Sequence, residues 1–246
     1  MIRPASSPRP LPTEAVRTER TYRRFDALQR WEHALLILSF SVLLLTGLPQ
    51  KYRTATWSQQ IISTPQRLET LQWFHRVAAI ILTAEVIIHL GRAASLLARR
   101  RLPSAVFPNG QDFRDAAQML RYLLFFTNRK PRFGKYSFEQ KLTYWFFVFG
   151  IGIMVVTGFI LWFPMLFTRL FPGGLVPAAK LAHSTEAVVA GIFLIIWHSF
   201  HVHLQRLNLS IFTGRLPEEE MRRYHPLEFE RLTGEPADDD TPEGAA

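Results

Sequence analysis

Four apolar stretches, residues 31–47, 73–98, 142–163 and 181–204, interrupt an otherwise polar, arginine-rich chain. Each holds about 17–25 residues, enough at roughly 1.5 Å of rise per residue to cross a hydrocarbon core about 30 Å thick. Backbone groups in hydrocarbon must be hydrogen-bonded within their own segment, so the stretches are read as transmembrane helices. The expected class is therefore all-α, an integral membrane four-helix bundle. Bulk composition hides this, because 246 residues with 48% hydrophobic content would suit an ordinary soluble domain.

The formal charge of +9 comes from residues that flank the apolar runs. Seven arginines precede the first span, and eleven basic residues fall between positions 92 and 141. The other two connections carry four and two. This asymmetry places both termini and the second connection in the cytoplasm, in a cell inner (plasma) membrane. No isolated basic patch interleaved with aromatics is present, so nucleic acid is not an expected partner. The chain has no cysteine, which excludes thiolate-held iron–sulfur clusters, disulfides and covalent CxxCH haem attachment.

The start of the chain lacks the basic-then-apolar pattern of a removable signal peptide, so residues 1–21 are expected to be a flexible cytoplasmic leader. The spans and their connections then make one domain over 22–208. Within it, residues 112–126 show apolar positions at helical spacing opposite Arg114, Gln118 and Arg121, which predicts a helix on the inner membrane surface. Thr64 and Pro65 would open a short surface helix in the first external loop. A tail helix is expected over 209–234, and a disordered acidic tail over 235–246. Trp31, Trp73, Trp145 and Trp162 sit near span ends as an aromatic belt does. Gly47, Gly150, Gly152, Gly158 and Gly191 suit close helix packing, or a flat macrocycle lying against a helix.

Eight histidines are present, and their spacing carries the chemistry. His75 and His89 are 14 residues apart in the second span, about 21 Å of rise with an angular offset of about 40°. His183 and His198 are 15 apart in the fourth, about 22 Å of rise and about 60° of offset. Both spans run outward to inward, so His75 lies level with His183 and His89 with His198. Two stacked bis-histidine haem sites follow, roughly 20 Å apart. A tetrahedral zinc site wants three or four close ligands, which these spacings do not supply. His33 opens the first span at the depth of His89 and His198. Either His33 or His89 is then spare, acts at a quinone, or belongs to a third haem with His201 or His203.

The chain resembles the gamma subunit of formate dehydrogenase and its relatives, the four-span cytochromes b that also serve nickel–iron hydrogenases and thiosulfate reductases. The likeness runs from about residue 22 to 232. Its most specific stretch is Gly134-Lys135-Tyr136-Ser137-Phe138-Glu139-Gln140-Lys141, followed by Tyr144-Trp145, Val156-Thr157-Gly158 and Leu161-Trp162-Phe163-Pro164; Arg30, His33, Thr46 and Gly47 also fit. The resemblance implies a cytochrome b/b6-like domain with one haem b between His75 and His183 and another between His33 and His198. His89 is an addition to that pattern, and the span-four spacing is one residue longer than in the gamma subunit. The His75/His89 and His183/His198 spacings are similar instead to those of cytochromes b in bc-type complexes, which leaves open whether His33 or His89 opposes His198. The resemblance also implies quinone exchange near the inner haem, at Tyr136, Ser137, Glu139 and Gln140, with Ser137 and Glu139 standing where asparagine and glycine are expected. Glu85 and Glu186, acids inside spans, are candidates for a proton path, with a salt bridge as the alternative.

These features together describe a membrane-anchoring cytochrome b subunit with two or three haems b. It would carry electrons between membrane quinone and an extracytoplasmic iron–sulfur or multihaem cytochrome subunit, because no dinucleotide fingerprint or cysteine cluster supplies substrate chemistry here. The rival reading is a haem-free transporter or proton-conducting subunit using the same His and Glu residues, which would be colourless.

Overall fold

The computed structural model describes residues 20–101, 104–204 and 207–237. After a short strand β1 (Thr21–Arg23), helix α1 (Ala27–Lys51) forms the first span. A short α2 (Thr56–Ile61) and the long α3 (Pro65–Ala98) follow, the latter being the second span. Helix α4 (Gly110–Leu123) lies in the basic connection, and α5 (Phe138–Trp162) is the third span. After α6 (Pro164–Phe167), the fourth span is α7 (Leu175–Phe193), prolonged by two π-helical segments, Leu194–His198 and Phe200–Leu204. Four helices are thus long and apolar enough to cross a membrane. The chain closes with α8 (Ser210–Thr213), strand β2 (Arg215–Pro217), α9 (Glu218–Tyr224) and α10 (Pro226–Thr233).

Local sequence explains where the spans begin. At α1 the Asp26 carboxylate accepts from the Gln29 amide at 2.8 Å while the Gln29 side chain accepts from the Asp26 amide at 3.0 Å. Ser137 and Gln140 make the same reciprocal box at α5, and Asn109 with Asp112 at α4. Each cap satisfies orphan amides and stabilises its helix by about 1 kcal/mol. Thr64 and Pro65 act as N-cap and first residue of α3 itself, rather than opening a separate short helix as expected from the sequence. Apolarity marks only the hydrocarbon-embedded part, so α3 starts eight residues before its apolar run.

The four spans form two antiparallel hairpins, α1 with α3 and α5 with α7, joined where α1 meets α7. The buried positions of the spans are mostly small: Ser39, Ala78, Gly150, Thr157, Ala179, Ala190 and Gly191. Small residues let helices approach where lipid tails give apolar side chains no reason to prefer the interior. At Gly191 an added Cβ would come 3.2 Å from Leu44 of α1. Large side chains turn outward instead, with Leu45 at 71%, Ile87 at 65% and Ile195 at 67% exposure. That apolar jacket is what a bilayer covers.

Both ends of the described chain meet on one side of the bundle. β1 and β2 pair antiparallel, Tyr22 opposite Leu216. Gly214, at a left-handed φ of 78°, brings its carbonyl to the Arg24 amide at 2.9 Å, and a Cβ there would sit 3.0 Å from the Phe25 carbonyl oxygen. Leu216, Met221, Phe229 and Ala237, with Tyr22 against them, make a small core. In place of the expected single tail helix there is a packed unit of α8, strand β2 and the two short helices α9 and α10. Its contacts with the basic connection run through Arg132 to Glu230 and His225 Nδ1 to the Gly134 carbonyl at 2.8 Å. Glu235 to Ala237 belong to it, since the Ala237 amide donates to Glu230 at 3.2 Å. The rest of the expected acidic tail and nearly all of the expected leader lie outside the described residues.

Candidate functional site

Two pairs of imidazoles face one another between helices at opposite ends of the bundle. At the far end from the termini, His75 of α3 and His183 of α7 have ring centroids 6.3 Å apart. At the basic end, His33 of α1 and His198 after α7 are 6.4 Å apart. With a metal–nitrogen bond of about 2 Å and a ring centre about 1.1 Å behind the nitrogen, opposed imidazoles on one iron have centroids about 6 Å apart. Both pairs have the separation that a bis-histidine haem requires.

The far pair is held by a repeated device. Thr46 donates its hydroxyl proton to the Val42 carbonyl at 2.6 Å, and Thr157 donates to the Ile153 carbonyl at 2.6 Å. With its proton committed, each hydroxyl oxygen accepts from a histidine: His75 Nδ1 at 2.8 Å from Thr46, His183 Nδ1 at 3.0 Å from Thr157. Each imidazole is thereby fixed as the Nδ1–H tautomer, leaving Nε2 with its lone pair for a metal. The next residue in both helices is glycine. A Cβ at Gly47 would sit 3.3 Å from His75 Cε1, and one at Gly158 would sit 3.3 Å from His183 Cε1. The dipeptide Thr-Gly thus recurs in the two hairpins, its threonine holding a histidine and its glycine making room for it.

At the basic end, the 15-residue spacing from His183 to His198 is absorbed by the π-helical segment Leu194–His198. Bonds to the fifth residue take up one extra residue in the turn. The offset then becomes that of a 14-residue α-helical spacing, about 40°, matching α3.

His89 is engaged at both ring nitrogens. Nδ1 lies 3.2 Å from Glu32 and Nε2 3.0 Å from the Tyr144 hydroxyl. Arg92 also holds Glu32, at 2.9 Å. His201 Nδ1 donates to the Trp197 carbonyl at 2.8 Å, with its ring on the indole at 4.4 Å. The side chain of His203 lies outside the described residues.

A cavity of about 2310 Å³ opens at this end, lined by His33, His198, Glu85, His89, Tyr136 and Tyr144 among others. It exceeds the roughly 300–1,000 Å³ of a usual ligand pocket. Ser137, Glu139 and Gln140 line it too. Ser137 and Gln140 are also the cap of α5, and Gln140 Oε1 accepts from Arg24 at 3.3 Å. The Arg24 guanidinium lies 5.9 Å over the Tyr136 ring. Burial raises the Tyr136 phenol above its ordinary value, against the lowering pull of Arg24, so the group is a neutral hydrogen-bond donor at physiological pH. Glu85 is buried, with Oε2 unpaired. Glu186 turns toward Gly150, where a Cβ would fall 2.6 Å from its Oε1.

The sequence paired His75 with His183 and left His33 and His89 as alternatives opposite His198, but it did not point to Glu32 and Tyr144 as partners of His89 or to Arg92 as the partner of Glu32. The repeated Thr-Gly, 46–47 and 157–158, was the available signal for the threonine locks.

The sequence model of the prokaryotic cytochrome b561 family matches residues 20–214. The chain is also 21% identical over 222 residues to the cytochrome b556 subunit of nitrate-inducible formate dehydrogenase from Escherichia coli (strain K12), covering 90% of this chain and 96% of that one. A second formate dehydrogenase cytochrome b556 subunit of that strain is 22% identical over 205 residues, with 82% and 89% covered. The formate dehydrogenase cytochrome b556 subunit of Haemophilus influenzae is 26% identical over 175 residues, with 70% and 68% covered.

Proposed function

Because the chain belongs to the prokaryotic cytochrome b561 family, membrane cytochromes b that carry haem b and transfer electrons, we propose that it holds two haems and links membrane quinone to an extracytoplasmic redox subunit. Haem b supplies one-electron redox chemistry when bound. His75 and His183 hold the far haem, each through an Nε2 freed by its threonine lock. His33 and His198 hold the near one. The reading rests on one observation above all: two imidazole pairs at 6.3 and 6.4 Å, one at each end of the bundle. His89 is left out of ligation because both its nitrogens already have protein partners. That favours two haems over three.

The basic residues of the second connection support a cytoplasmic side for the end with the termini, in a plasma membrane. Quinone reacts there, in the cavity beside Tyr136, Ser137, Glu139 and Gln140, whose volume admits a second occupant beside a haem. Glu85 lines the same cavity and is the better placed of the two intramembrane acids to exchange protons there. Glu186 packs at the α5–α7 contact. The relatives' names point to a dehydrogenase as the partner, docked on the opposite face near His75 and His183.

A reduced-minus-oxidised spectrum with haem quantified per chain tests the proposal. Two low-spin haems are expected, falling to one in His33→Ala and staying at two in His89→Ala. A colourless protein would favour the transporter reading. A near haem that survives His33→Ala and is lost in His89→Ala would overturn the pairing.

A further inference from the structure

The Glu32–His89–Tyr144 network is assigned no part in holding haem. Three helices contribute to it: Glu32 from α1, His89 and Arg92 from α3, and Tyr144 from α5. Glu32 is almost buried, its side chain 12% exposed, and is held by Arg92 at 2.9 Å. An ionised carboxylate only accepts hydrogen bonds, so the His89 Nδ1 facing it at 3.2 Å carries the proton. Nε2 is then the basic nitrogen, and the Tyr144 hydroxyl donates to it at 3.0 Å. This is the arrangement of a general base, with an oriented imidazole, a carboxylate behind it and a hydroxyl in front. Tyr144 lies one helical turn beyond Gln140 on the same face of α5 and lines the same cavity. His89 has 30% of its side chain exposed, and through Glu32 and Arg92 it connects to Asp26, 44% exposed just before α1.

We propose that Tyr144 and His89, positioned by Glu32, form the proton relay between bound quinol and the aqueous rim at the basic end. This rests on the quinone reading above. Oxidation of a quinol to a quinone releases two electrons and two protons. The two electrons would be taken up, one each, by the two haems that the histidine pairs would hold. Each proton moves from a quinol hydroxyl to the Tyr144 oxygen as the Tyr144 proton passes to His89 Nε2. The imidazolium so formed lies against the Glu32 carboxylate and gives its proton to water. Quinone reduction runs the same relay backward. Glu32, held by Arg92 at 2.9 Å, keeps its place throughout and is a positioning residue. Among the described residues, the cavity that His89 lines also carries Arg24 and Asp26 from before α1, His33 from α1, Glu85 and Arg92 from its own helix, Glu139 and Lys141 from α5 and His198 after α7, and Asp26 reaches Arg92 at 4.0 Å.

The test uses the full-length haem-loaded subunit in detergent, with decylubiquinol as the probe and haem reduction followed by stopped flow across neutral pH. His89→Gln and Tyr144→Phe should keep full haem content and low-spin spectra. Their haem reduction should slow by about a hundredfold, the lower end of what a positioned acid–base group contributes, and lose its pH dependence. Glu32→Gln should shift the pH profile without abolishing the reaction. Parent-like rates and pH profiles in His89→Gln and Tyr144→Phe would overturn the relay while leaving the quinone reading intact. Loss of the near haem in His89→Gln would overturn it by making His89 a ligand. A parent protein whose haems decylubiquinol never reduces would overturn the quinone reading itself, and the relay with it.

Discussion

Replacing Thr46 with valine keeps the side-chain volume nearly unchanged and removes one oxygen, so its effect isolates the hydrogen bond to His75. In the parent, Thr46 is a through-connection, donating to Val42 at 2.6 Å and accepting from His75 Nδ1 at 2.8 Å. In the variant the Nδ1–H loses this acceptor in a water-poor site, with only the Leu43 carbonyl nearby. An unsatisfied buried donor costs about 1–3 kcal/mol. At about 1.4 kcal/mol per factor of ten, that is roughly a five- to 150-fold loss of haem affinity. Lost outer partners of metal-bound histidines typically cost about 10–100-fold, which agrees. The loss arises because the ring becomes free to rotate, or to protonate at Nε2 instead. Thr157→Val acts on His183 by the same geometry, so the two variants should have similar effects and the pair should weaken the far haem most. Haem transfer to apomyoglobin measures retention directly, and a potentiometric titration reads the accompanying fall in ligand basicity as a shift in one midpoint potential only. Thr46→Ser, which keeps the hydroxyl, should behave like the parent. If Thr46→Val and Thr157→Val keep parental haem retention and both midpoint potentials, the threonines do not orient the ligands and the reasoning fails.

Three further outcomes are expected. His75→Ala or His183→Ala should each lower the purified subunit from two haems to one, counted by the pyridine haemochrome; full haem content in both would remove the far pair from consideration. Tyr136→Phe and Glu139→Gln should impair quinol-driven haem reduction by about tenfold or more while both haems stay bound, and unchanged kinetics in these variants would move the quinone site elsewhere. At the tail, the Ala237 amide and then Arg132 hold the Glu230 carboxyl below its ordinary value. Its contribution is therefore present above the usual carboxylate range and lost as pH falls through its lowered value. The protection of the Ala237 amide against hydrogen exchange, taken relative to the intrinsic exchange rate at each pH, should fall on acidification, and Glu230→Gln should abolish that pH dependence.

The four spans, the far histidine pair and the same-end placement of the termini were all readable from residue order. Hydrocarbon thickness sets the length of an apolar run, helical rise sets the depth of a histidine, and an even number of crossings returns the chain to its starting side. Rise alone could not choose between His33 and His89, because the two share a depth. Tertiary structure gives them different surroundings: Glu32 and Tyr144 arrive on other helices and occupy both nitrogens of His89, while the His33 ring lies 6.4 Å from that of His198. The extra residue between His183 and His198 is likewise resolved only by the π-helical turn, a backbone change that side-chain periodicity does not announce. β1 and β2 were invisible because three residues carry no alternation pattern, and their pairing depends on Gly214 turning the chain beneath Arg24. Apolar length and histidine depth act along one helix and are written in its own sequence; which partner each histidine meets depends on what neighbouring helices bring to the same point, and only their packing decides that.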